Sequence, residues 1–157
     1  FPNVGKSALI NRLVKKKAVA SSRKAGVTRS LQWVRLGHEL DLLDAPGVLP
    51  PKLEDQYSAL LLALCDDIGQ AAYDIELVAI EFLKMLLKLE VVDASGVSLS
   101  CLKKRYGVDY AKTKMNPYQW LVEAAELHTS SDTRRMAQRL LDDFRKALLG
   151  LISLELP

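Results

Sequence analysis

The chain has 157 residues, 49% of them hydrophobic, and a net charge of +3. That length and apolar share suit one packed domain, or one and a half, and exclude an intrinsically disordered segment. Cys65 and Cys101 lie isolated on apolar stretches and read as buried small hydrophobes. With only two histidines beside them they cannot assemble a zinc cluster, and no apolar run is long enough to span a membrane.

The first predicted element is a loop. Phe1-Pro2-Asn3-Val4-Gly5-Lys6-Ser7 matches the back part of the phosphate-binding pattern G-x-x-x-x-G-K-[ST]. The first glycine of that pattern would precede Phe1, so the chain is expected to open inside its own site, without its natural N-terminus. Gly5 allows the backbone to pass close to a phosphate. The amides from Asn3 and Val4 through Gly5, Lys6 and Ser7 to Ala8 can form an anion-binding nest at the start of a helix. Lys6 supplies a mobile positive charge for the β- and γ-phosphates, and Ser7 a hydroxyl for a hard metal ion, Mg2+. Gly-Lys-Ser by itself also occurs on solvated loops, so the reading depends on the residues downstream.

Ser7 to Val14 is predicted to be a helix, with Leu9, Ile10, Leu13 and Val14 as one apolar stripe. Lys15-Lys16-Lys17 reads as its solvated end, with contact to RNA phosphates as the alternative. Ala18 to Arg29 reads as a basic loop. Within it Thr28 suits a switch threonine, which helps to hold Mg2+ and senses a γ-phosphate. Leu31 to Leu36 and Glu39 to Leu43 are predicted strands joined by a turn at Gly37-His38. They lead to Asp44-Ala45-Pro46-Gly47, a D-x-x-G arrangement. There the Asp44 carboxylate would order Mg2+ and the Gly47 amide would report on the γ-phosphate. The two patterns are weak singly. Phosphate loop, helix, loop threonine, hairpin and D-x-x-G together match the order and spacing of a small GTPase.

The remainder reads as helical: Gln56 to Leu64, then Asp66 to Leu89 as a long amphipathic helix or a broken pair, then Val97 to Tyr106. Ile68, Ala72, Ile75, Ala79, Phe82, Leu83 and Leu86 recur at helical spacing and read as core. Lys103-Lys104-Arg105 would either touch RNA or solvate a helix end. Pro117 opens a further helix, Ser131 or Asp132 caps the last, and Gly150 ends it. Tyr118, Trp120 and Phe144 read as packing aromatics. The expected fold is α/β: a partial P-loop GTPase domain over residues 1–65, followed by an all-α C-terminal domain over residues 66–157. Basic residues concentrate in the first part, from Lys6 to Lys52, where they could also face nucleic acid.

Pro2-Asn3-Val4-Gly5-Lys6-Ser7, Gly26-Val27-Thr28 and the run from Asp44 to Lys52 resemble the circularly permuted ribosome-assembly GTPases. These include the DAR GTPases of plastids and their bacterial large-subunit assembly relatives. The likeness continues at Cys65-Asp66-Asp67-Ile68-Gly69 and from Leu141 to Pro157. It implies a GTP-hydrolysing factor in large ribosomal subunit assembly. Lys6, Thr28 and Gly47 would be catalytic, and Asn3, Val4, Gly5, Lys6, Ser7, Ala8 and Gly47 would be phosphate-binding. Mg2+ would lie on Ser7, Thr28 and Asp44, and a potassium ion beside Asn3. It further implies a hydrophobic residue, here Val48, where many GTPases carry a water-orienting glutamine. The expected partner is a large-subunit precursor, its RNA and proteins, and neither DNA nor a membrane. The protein is expected to be a monomer of the plastid stroma or, outside eukaryotes, of the cytoplasm.

In that family the guanine-reading N-K-x-D lies before the phosphate loop. The nearest match here, Thr113-Lys114-Met115-Asn116, ends in Asn rather than Asp and reads as a loop coincidence. The chain alone is therefore expected to bind guanine nucleotide weakly or not at all. Two other functions fit the residues: a ribosomal docking module with a vestigial nucleotide site, and an ATP-using P-loop enzyme.

Overall fold

The computed structural model describes residues 5–16, 18–20, 30–36, 40–47, 55–92, 99–110 and 116–154. They form a mixed α/β arrangement with six α-helices. In order these are α1 (Lys6–Leu13), β1 (Gln32–Leu36), β2 (Leu40–Asp44) and α2 (Gln56–Leu64), then a 3-10 turn (Gln70–Ala72). After it come α3 (Ile75–Val92), α4 (Ser100–Tyr106), α5 (Pro117–His128) and α6 (Thr133–Arg145). Internal packing divides the chain into two units, Phe1–Gly69 and Gln70–Pro157. Among the described residues no helix is long and apolar enough to cross a membrane.

In the first unit β1 and β2 pair antiparallel, with Trp33 opposite Leu43 and Val34 opposite Leu42. The expected hairpin is therefore present, although its turn lies outside the described residues. Side chains alternate between the two faces of a strand. Val34 and Asp44 are buried, whereas Trp33, on the other face, is exposed. Helix α1 packs on β2. The small core is Ile10, Val19 and Val34, with Val14 and Leu42 against it. Two residues of the expected stripe are not part of it. Leu9 and Leu13 are exposed, because each lies about 100° around the helix from Ile10 or Val14 and so off the face that meets the strands.

Cys65 is also a correction: it is exposed, while Cys101 is half-buried. Cys65 falls one residue beyond Leu64, where α2 ends and turns away from its packed face. The helix expected from Asp66 begins only at Ile75. Asp66 has a left-handed backbone, and the Asp67 N–H donates to the Leu62 carbonyl at 2.9 Å, which closes α2. The Asp74 carboxylate then accepts from the N–H groups of Glu76 and Leu77, opening α3. Ile68 and Ala72 thus precede the helix, and Ala72 is exposed, whereas Ile75, Ala79, Phe82, Leu83 and Leu86 are buried as expected.

In the second unit α3, α5 and α6 pack on one another. Their starts result from capping: Asn116 accepts from the N–H groups of Tyr118 and Gln119, with Pro117 in the first turn, and Asp132 accepts from Arg135 N–H. Trp120 is fully buried, and Phe144 packs on Phe82 with ring centroids 4.7 Å apart. Tyr118 is exposed instead, because the first turn of α5 presents it outward. Nor does Gly150 end α6. The helix stops at Arg145, Ala147 takes the left-handed conformation, and Leu148 N–H donates to the Asp143 carbonyl at 2.9 Å. The cations of Lys103-Lys104-Arg105 are partly used inside the unit. Lys103 pairs with Asp109 at 3.0 Å, and Arg105 reaches the buried Asp143 at 2.9 Å.

Candidate functional site

The candidate site is built where α1 begins. Gly5 is the N-cap residue, with φ +89°, a left-handed conformation that strains any residue bearing a Cβ. An added Cβ would meet nothing within 4 Å among the described residues. What they show at Gly5 is therefore a demand of backbone conformation rather than of crowding. The helix's own ladder starts with Leu9 N–H on the Gly5 carbonyl at 2.9 Å. The amides of Lys6, Ser7 and Ala8 lie ahead of that ladder, at the positive end of the helix dipole.

Ser7 on this first turn meets Asp44 at the end of β2. The Ser7 hydroxyl donates to Asp44 Oδ2 at 2.7 Å. Asp44 is 1% exposed, and its other oxygen, Oδ1, is buried without a hydrogen-bond partner among the described residues. An unpartnered buried carboxylate oxygen is costly unless a cation or water satisfies it. Ser7 and Asp44 thus bring together the oxygen donors that a hard ion takes, and they fit Mg2+.

Of the other expected site residues, Lys6 is half-buried in the first turn, Ala8 is exposed beside it, and Gly47 is half-buried three residues past Asp44. Asn3, Val4, Thr28 and Val48 lie outside the described residues. The structure therefore brings together Gly5, Lys6, Ser7 and Asp44.

Two neighbours carry no functional signal strong enough to single them out by sequence. Asp67, just beyond α2, has its pKa raised by burial and by the adjacent Asp66, against a lowering by the Lys6 ammonium. Asn11, in the last turns of α1, binds the backbone of residues 18 and 19 through three hydrogen bonds. An asparagine inside a helix is a hint in itself, since its carboxamide favours backbone groups outside the helical ladder.

Comparison with known proteins gives the family of the chain. A family model described as 50S ribosome-binding GTPase matches residues 1–89. A ribosome biogenesis GTPase A of Bacillus cereus is 37% identical over 132 residues, covering 72% of this chain and 45% of the relative. A GTP-binding protein of Methanocaldococcus jannaschii is 29% identical over 166 residues, covering 99% of this chain and 39% of its own length. Nucleolar GTP-binding protein 2 of Schizosaccharomyces pombe is 44% identical over 62 residues, covering 40% of this chain and 12% of its own length. The chain spans less than half the length of these relatives. The matched segment contains the Gly5–Lys6–Ser7 turn, the hairpin and Asp44, and with that segment exceeding half of its residues the chain belongs to the 50S ribosome-binding GTPase family.

Proposed function

We propose that this chain carries the phosphate-gripping half of a GTP-hydrolysing factor that acts in assembly of the large ribosomal subunit. One observation carries the reading: the Ser7 hydroxyl lies 2.7 Å from a buried carboxylate, Asp44, whose second oxygen is unpartnered among the described residues, directly after a left-handed glycine that opens a helix. Family membership supplies the guanine nucleotide as the ligand class.

In this reading the turn amides and Lys6 hold the phosphate tail and offset the charge that grows on the transferring phosphoryl group. Ser7, Thr28 and Asp44 would hold Mg2+, which when bound neutralises phosphate charge. Gly47 would sense the γ-phosphate through its amide. Val48 cannot orient an attacking water, so intrinsic turnover is slow. Asn3 would hold a potassium ion beside the phosphates, and a ribosomal particle would accelerate the reaction. The domain arrangement proposed is a GTPase segment to about residue 65, followed by a helical C-terminal domain. The permuted order, with the guanine-reading motif before the phosphate loop, is supported by Asn116. Its side chain caps α5 rather than ending a base-reading loop. The partner proposed is a large-subunit precursor. The protein would act as a monomer, in the plastid stroma or the cytoplasm.

The test uses the full-length protein. GTP binding and hydrolysis should be measurable, and Lys6→Ala should abolish both. A full-length protein that binds no GTP overturns the reading. Particle association that is indifferent to both nucleotide and Lys6→Ala would favour a docking module.

A further inference from the structure

The backbone beyond α1 is tied back onto the helix by one side chain. Asn11 Oδ1 accepts the N–H of Ala18 at 2.8 Å and the N–H of Val19 at 2.9 Å, while Nδ2 donates to the Val19 carbonyl at 2.9 Å. The carboxamide can be oriented only one way, since the reverse would set its NH2 against two N–H donors. No other side chain of this size offers both an acceptor and a donor here. Aspartate cannot donate, and serine is too short to span the three groups. The tie is anchored on its far side as well: Val19 is 4% exposed and packs with Ile10 and Val34. Ile10 precedes Asn11 directly, and Ser7 is one helical turn earlier on α1. The helix that carries the phosphate-binding serine thus also sets the position and direction of the chain at Val19, from which it runs on toward Thr28.

We propose that Asn11 is a positioning residue for nucleotide-state recognition, fixing to α1 the root of the segment that carries Thr28. It touches no phosphate in this scheme and acts through the backbone at Ala18 and Val19. The proposal rests on the reading of the chain as a GTPase, and it explains why a polar residue is placed inside α1. Loosening this root should weaken the state in which the threonine segment is engaged, with its γ-phosphate, more than the state without it.

The test uses full-length Asn11→Ala, Asn11→Asp and, as a packing control, Ile10→Val. The control loosens the same small core without removing a hydrogen bond. GDP and a non-hydrolysable GTP analogue are the probes. Asn11→Ala should lower affinity for the analogue about tenfold and for GDP less than about twofold, with kcat reduced more than KM is raised. Asn11→Asp, which keeps the two acceptor bonds, should recover part of the loss. Ile10→Val should shift both affinities equally or not at all. Equal losses for GDP and the analogue, or the same discrimination in Ile10→Val, overturn the proposal. A readout without nucleotide keeps the two claims apart. In Asn11→Ala, amide exchange at Ala18 and Val19 should accelerate by about tenfold or more over wild type, and unchanged exchange rejects the tie. A wild-type protein that binds neither probe instead overturns the GTPase reading itself, and with it the nucleotide role of Asn11.

Discussion

Ser7 and Asp44 lie 37 positions apart in the chain, yet the hydroxyl of one donates to the carboxylate of the other at 2.7 Å. The first turn of α1 and the last residue of β2 are thereby joined, at the site proposed for Mg2+. Asp44→Asn keeps an acceptor for the serine and removes the charge. In the full-length protein it should reduce GTP turnover on the order of a hundredfold, with a higher Mg2+ requirement. A Mg2+ titration of hydrolysis at saturating GTP checks this, and an unchanged requirement would remove Asp44 from the metal site.

Gly5 carries φ +89°, and among the described residues nothing lies within 4 Å of where a Cβ would go. Gly5→Ala should therefore cost about 1–2 kcal/mol through backbone strain alone. Denaturant unfolding of the full-length protein without nucleotide provides the measurement. A cost near zero would mean that the turn relaxes to an ordinary conformation.

The helical unit holds a buried carboxylate as a structural tie. Asp143 accepts from Arg105 at 2.9 and 3.2 Å and from the Tyr106 hydroxyl at 2.8 Å. Burial pushes its pKa up, but Arg105, Tyr106 and Arg139 outweigh burial and hold it below the ordinary value. A carboxyl with a depressed folded pKa stabilises above its unfolded value, about 4, and that contribution is lost as pH falls through the folded one. Stability should thus be level near neutral pH and decline below about pH 4, and Asp143→Asn should flatten that decline. Urea midpoints against pH provide the check.

Tyr106 is 2% exposed, and Asp143 holds its hydroxyl. Burial, and after it that hydrogen bond, pushes the phenol pKa well above its ordinary value. Tyr106→Phe should cost about 1 kcal/mol or somewhat more, since it also removes a donor from a buried carboxylate. Thermal unfolding at neutral pH would show it. An unchanged midpoint would mean that Arg105 alone satisfies Asp143.

Replacing potassium by sodium should slow turnover of the full-length protein severalfold if Asn3 holds a monovalent cation near the phosphates. Steady-state hydrolysis at constant ionic strength decides the matter, and equal rates in the two salts would remove the ion from the scheme.

Much of the first unit is legible in the sequence because its signals are local. Gly5-Lys6-Ser7 before an apolar stripe marks a turn and a helix, and two runs of strand-forming residues about Gly37-His38 mark a hairpin that ends on an aspartate. Helix-start residues are readable for the same reason: Pro117 brings its own fixed φ to the first turn of α5, and Asp132 accepts from the N–H of Arg135, three positions on. Periodicity misleads where it runs through a break. Ile68 and Ala72 keep helical spacing with Ile75, but the left-handed Asp66 and the cap at Asp74 interrupt the helix.

The residues alone determined that a phosphate-type turn, a hairpin ending in Asp44 and a run of amphipathic helices occur in that order. Those features depend on neighbours a few positions apart. Tertiary structure decided which side of α1 is covered, so that Ile10 is buried while Leu9 and Leu13 are exposed. It also decided that Ser7 reaches Asp44, that Asn11 ties down Val19, and that Arg105 is taken up by Asp143. Each of those outcomes depends on where a second element passes, and a hydrogen bond forms only when folding brings donor and acceptor within about 3 Å.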